Sequence, residues 1–177
     1  MDTRPPEMKR STMPYWVQVC PECGYASSEV SRELSCSKEF LQTDEYKSFS
    51  LPEPVSGLTK AFIQKARIES QSDKYSEAWY SYLCAAWAAD DKGDSHWARQ
   101  SRLLSLEQIG RIAKDEQNEN LTLIRADLLR KTGQHQRLLN EYSETRLSEE
   151  FLNNILSFQL KKAREEDEAT YTAADIE

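Results

Sequence analysis

Glycine is scarce in this chain, five in 177 residues. That is too few for an all-β fold, which needs a tight turn between most pairs of strands. No apolar run approaches the roughly 20 residues of a membrane-spanning helix, and the first residues hold no apolar signal-peptide core. A cytoplasmic chain with no membrane partner is therefore expected. Positive charge is outweighed, with 23 Lys and Arg against 30 Asp and Glu and a net charge of −7. A duplex-binding surface needs a basic stripe to displace counterions, so nucleic acid is not an expected partner. Glycine-rich phosphate loops, HExxH, GxSxG and paired-carboxylate patterns are all missing, and no enzyme class has positive support.

What is present is a polar but globular composition, 38% hydrophobic and 30% charged, with the apolar residues clustered. The length suits one compact domain with a small attachment. The most informative local pattern is Cys20-Pro21-Glu22-Cys23-Gly24, preceded by Tyr15-Trp16-Val17. It reads as one knuckle of a zinc ribbon. The two thiols would sit on a tight turn, and Gly24 would take the left-handed conformation that lets backbone N–H groups face the sulfurs. With four cysteines in all, an intracellular metal site suits the chain better than a secreted disulfide framework.

Residues 1–30 are punctuated by Pro5, Pro6, Pro14 and Pro21, and only Tyr15 to Val19 is expected to form a short strand. Leu51-Pro52-Glu53-Pro54 marks a linker, since proline forbids a continuing helix. The predicted organisation is an N-terminal arm over 1–56, a helical hairpin domain over 57–166 and an acidic tail over 167–177. The clearest helix runs from about 74 to 90, with Tyr75, Ala78, Trp79, Tyr82, Leu83, Ala86 and Ala89 on one stripe. Leu58 to Ile68 supplies its partner. Further helices are expected over 96–114 and around Leu121 to Leu128, which Gly133 ends, and then around Leu138 to Tyr142. A last helix is expected after Ser148, read as an N-cap followed by acidic residues that favour the helix dipole. Placing Ala66 on Ala126 sets Asp73 on Gly133, Tyr75 on His135, Ala78 on Leu138 and Tyr82 on Tyr142. This is the grammar of a tetratricopeptide-like hairpin, in which small residues let helices approach and a permissive residue reverses the chain. The predicted fold is thus mainly α, built of antiparallel helical hairpins with a short arm carrying half of a zinc-ribbon knuckle.

Cys20 and Cys23 are the candidate metal ligands, with zinc favoured by their spacing. A redox CxxC would open a helix within a strand–helix–strand unit, and no such unit follows. Two thiols without metal remain the competing reading, because no second pair accompanies them. Cys36, in a polar context, would serve as a third ligand only if its segment folds back; otherwise it is an ordinary thiol. Cys84 reads as core. His96 and His135 have no neighbour at ligand spacing. Trp79, Trp87, Trp97, Tyr75, Tyr80 and Tyr82 form an aromatic concentration, and Trp79 and Tyr82 are expected in the core between the first two hairpin helices.

Arg4 to Met8, Arg10 to Met13, Trp16 to Tyr25, Tyr82 to Trp87, Arg125 to Gly133 and Ala169 to Ile176 together resemble a bacterial family of uncharacterised proteins, a domain of unknown function. The resemblance implies a zinc-ribbon-like N-terminal segment followed by tetratricopeptide-like helices, with no assigned activity. It also implies a second CPxCG pair, upstream of the segment that begins here at Asp2, so the family's four-cysteine site carries over only to Cys20 and Cys23. On this reading, a zinc site would be completed across a two-fold axis by a second copy, making a homo-oligomer, or else stay empty. The function expected is a non-catalytic protein-interaction module holding a peptide or protein partner. The alternative is a metal- or redox-responsive regulator or enzyme accessory that uses the Cys20/Cys23 pair.

Overall fold

The structure, a computed structural model, describes residues 5–31, 33–47, 55–172 and 175. Over these residues the fold is mainly α, with eight helices and one two-stranded hairpin. It divides into two compact units, Pro5–Arg111 and the portion from Ile112 onward.

The first unit begins with a short helix, α1 (Glu7–Arg10), and a 3-10 turn over Met13–Tyr15. Tyr15, expected to open a strand, lies in this turn instead, because Pro14 sits near its start and fixes φ there. Only β1 (Gln18–Val19) is extended, pairing antiparallel with β2 (Ala26–Ser27). After α2 (Asp44–Lys47) come three long helices, α3 (Gly57–Gln71), α4 (Tyr75–Asp90) and α5 (Ser95–Ile109). Ser56 caps α3 through the Thr59 N–H, and Asp94 caps α5 through the Trp97 N–H. The third long helix is shorter than expected, since the chain passes through Gly110 into a separate 3-10 turn at Lys114–Glu116.

Helix α4 lies between its neighbours in sequence, and every residue from Ser81 to Ala89 is buried. That explains its alanines. Ala85, Ala86, Ala88 and Ala89 let helices approach on more than one side, and Phe62, Ile63, Trp97 and Leu106 fill the space between them. The arm is tied to α3. Tyr46 Oη donates to the Gly24 carbonyl at 2.6 Å, Arg67 donates to the Tyr46 carbonyl at 3.0 Å, and the Ser72 hydroxyl reaches the Ser35 carbonyl at 2.6 Å.

The second unit holds α6 (Glu119–Lys131), α7 (His135–Tyr142) and α8 (Glu150–Arg164). Its core is Leu121, Ala126, Leu128 and Leu129 against Leu138, Ile155, Leu156 and Ala163. Ser148 does not cap α8. Its N–H and hydroxyl both bond the Glu119 carboxylate at 2.5 Å, and Glu149 occupies the N-cap position without a side-chain bond. A nearby carboxylate drew the hydroxyl away from the helix end.

The chain reversals share one device. Asp73, Gly93, Gly133 and Glu166 all have positive φ, at 57°, 70°, 71° and 54°. After each, the next N–H reaches back five residues: Lys74 to Glu69, Asp94 to Ala89, Gln134 to Leu129 and Asp167 to Lys162, at 2.9 to 3.0 Å. These are Schellman closures, which satisfy the orphan carbonyls of a helix end. Asp73 and Gly133, matched by the sequence alignment of the two hairpins, do the same job.

Candidate functional site

The knuckle is a hydrogen-bonded turn on the β hairpin. Cys20 N–H donates to the Tyr25 carbonyl at 2.8 Å, and Gly24 N–H donates to the Cys20 carbonyl at 2.9 Å. Gly24 takes φ 76°, where a Cβ would meet nothing within 4 Å, so the glycine is there for its backbone freedom. Backbone N–H groups of Cys23 and then Glu22, together with the Cys23 thiol, favour the Cys20 thiolate and hold that thiol below its usual range. Cys23 is exposed and Cys20 half-buried. Cys36 lies near enough to feel the charge of Cys23, although burial is the larger cause of its raised pKa. The knuckle thus offers two soft donors on a turn suited to zinc. No group of three His, Cys, Asp or Glu among the described residues is arranged to hold a metal ion.

Cys84 is buried, and burial pushes its thiol up to about 12. It sits beside a compact polar cluster. Lys65 Nζ contacts Glu69 at 2.5 Å and Ser81 Oγ at 2.9 Å, and Ser81 Oγ donates to Glu69 at 2.6 Å. A lysine and a serine at this distance suggest a nucleophile and its base. The serine proton is directed at Glu69, however, and Lys65 Nζ donates to both groups. The cluster is best explained as a satisfied polar contact between α3 and α4.

The aromatics divide. Tyr82 is 4% exposed and belongs to the core. Trp79 is only half-buried: it stands in the second turn of α4, edge-on to Tyr80, with its own carbonyl accepting from Ser105. His96 is exposed beside Trp97. His135 Nε2 faces Glu168 Oε1 at 3.8 Å.

Sequence reasoning missed an apolar groove of about 350 Å³ in the second unit, between α6 and α8. Asn120, Leu123 and Ile124 line one wall, and Phe151, Leu152, Ile155 and Gln159 the other. Five of these seven side chains are apolar, so the groove would gain from excluding water. Phe151, in the first turn of α8, is 56% exposed at its edge. The same end is acidic, with Glu119, Glu149 and Glu150 at the N-termini of the two helices. In the sequence Phe151, Leu152 and Ile155 are simply the apolar residues of the last helix. The one signal in the sequence was the phenylalanine so close to the start of a helix, where burial on all sides is rare.

No family model, curated protein or solved structure matches the chain. Among the described residues, no helix is long and apolar enough to cross a membrane.

Proposed function

We propose that the protein is a non-catalytic interaction module whose α6–α8 groove holds an amphipathic segment of a protein partner. The observation that carries this reading is the exposed Phe151 beside a groove walled by Leu123, Ile124, Leu152 and Ile155. Such a groove accepts apolar anchors spaced by three or four residues on one helical face. The Glu119, Glu149 and Glu150 end favours Lys or Arg flanking those anchors. Selection from a displayed random-peptide library tests this. Peptides enriched on the native chain should share apolar anchors at i, i+3 or i+4, and i+7 with a basic flank. They should fail to enrich on a Phe151→Glu variant of unchanged melting temperature. Equal enrichment on both chains would count against the groove.

A second reading rests on the knuckle. Backbone donors that favour the Cys20 thiolate also suit a metal ligand or a redox-active thiol, with Cys23 as its partner. On this reading the protein responds to zinc or oxidant through Cys20 and Cys23, and a second copy contributes the remaining ligands. Zinc and molecular mass measured on one sample test it. Zinc bound only in a dimeric fraction supports the shared site, whereas one zinc per strictly monomeric chain argues for a further ligand such as Cys36.

A further inference from the structure

At the C-terminal ends of α6 and α8, the chain's own tail packs over Arg130, Lys131, Phe158 and Lys162. Helix α8 ends at Arg164, Glu166 reverses the backbone, and residues 167 to 171 turn back toward the helix ends without regular structure, Ala169 N–H bonding the Asp167 carboxylate at 2.7 Å. Arg130, 0% exposed, is the centre of this contact. Its Nη1 donates to two alternate tail carbonyls, Asp167 and Ala169, each at 2.8 Å. Its Nε and Nη2 are held by Gln159 at 2.5 Å and Asp127 at 3.0 Å, which fix the guanidinium plane. Lys131 Nζ contacts the Thr170 hydroxyl at 3.0 Å. The Tyr171 ring lies 5.6 Å from the Arg130 guanidinium, 4.9 Å from Lys162 Nζ and 5.1 Å from the Phe158 ring, edge-on. Asp167 accepts from the Tyr171 hydroxyl and lies 3.6 Å from Lys162 Nζ.

We propose that this surface is a peptide-recognition site which the tail fills in cis. In trans it takes a partner peptide bearing an acidic residue and, four positions later, an aromatic one. Three features carry the assignment. Arg130 already has a carboxylate partner in Asp127, so its bonds to alternate carbonyls are not needed to neutralise it; they bind backbone, which any sequence offers. The side-chain selection falls on the carboxylate and the aromatic ring, through Lys162 and the Arg130 face. The tail's other side chains, Glu168, Ala169 and Thr170, are exposed and add no apolar core. A segment held this way is exchangeable, and its linkage to α8 gives it an effective concentration near millimolar. This site adjoins the apolar groove at Gln159, and the proposal does not rest on that groove's being occupied.

The experiment uses the fluorescein-labelled peptide Glu-Glu-Asp-Glu-Ala-Thr-Tyr-Thr, which copies residues 165–172. It is titrated by anisotropy into the intact chain and into an Asp167→Ala/Tyr171→Ala variant whose tail is loosened. The loosened chain should bind at least about tenfold more tightly than the intact one, because the competing cis segment is weakened. Adding Lys162→Gln to that variant should remove most of the gain. Equal affinity for intact and loosened chains, or no binding to either, would overturn the proposal. So would a doubling of molecular mass that the peptide reverses, since the occupant would then be the tail of a second copy. Should the loosened variant fail to fold, trypsin cleavage after Arg164 in the intact chain serves instead. Saturating peptide should speed that cut, and an unchanged rate would overturn the proposal.

Discussion

Arg130 and Asp127 form a deeply buried ion pair of the second unit, with side chains 0% and 2% exposed and 3.0 Å between them. Removing one partner leaves the other charge in a poorly solvating interior, so Arg130→Ala should cost about 3–5 kcal/mol, read as a lowered denaturation midpoint. A midpoint within error of the native chain would mean that water reaches the pair. The thiols differ as sharply. Favoured as the thiolate by backbone donors, Cys20 should alkylate with its neighbour Cys23 well before Cys84 at pH 8, and peptide mass mapping would give the order. Early labelling of Cys84 would contradict its burial. That burial also sets an alkaline limit. The folded-state value, raised to about 12 from the ordinary 9.0, means the unfolded chain gives up this proton first. Its contribution is therefore intact below about pH 9 and is lost as pH climbs toward 12. Denaturation midpoints should fall over that window, and a Cys84→Ala variant should fall less steeply. If both chains fall alike, Cys84 is not the cause.

At the scale of the element, α4 separates what periodicity conveys from what it does not. The stripe Tyr75, Ala78, Trp79, Tyr82, Leu83, Ala86 and Ala89 predicted a helix packed on one side, and the helix is there, but nearly its whole circumference is buried after Ser81 while Trp79 stays half-exposed. Alanine pattern is ambiguous, because a small side chain suits a weakly packed surface and a crowded interior equally well. The reversals at Asp73 and Gly133 were readable because the chain needs permissive residues there. Ser148 was misread as a cap because its competitor, Glu119, is distant in sequence. The knuckle turn followed from five adjacent residues, whereas the α6–α8 groove joins segments whose proximity no local pattern records. The aromatics of α4 test the packing. Tyr82→Ala should cost about 3–5 kcal/mol, as other large aromatic truncations in packed cores do. Trp79→Ala should cost clearly less, its ring being only half-buried. Equal losses in thermal melts would show that Trp79 is as tightly packed as Tyr82.

For the whole molecule, the helices of both units draw stability from apolar burial that involves neither Cys20 nor Cys23. Large side chains such as Phe62, Leu83, Leu128 and Ile155 each contribute roughly 1.5–3 kcal/mol on full burial. Chelator treatment should accordingly leave the far-UV helical signal almost unchanged, and loss of most of it would tie the core to metal. The acidic groove end, the exposed Phe151 and the apolar walls form one surface in the second unit. A binding surface of this kind concentrates its energy in a central aromatic anchor. The decisive measurement is a calorimetric titration of the best library-selected peptide into the native chain and into Phe151→Ala. The interaction reading predicts at least about a tenfold weaker affinity for the variant, or 1.4 kcal/mol, with an unchanged melting temperature. The same affinity for both chains would contradict it.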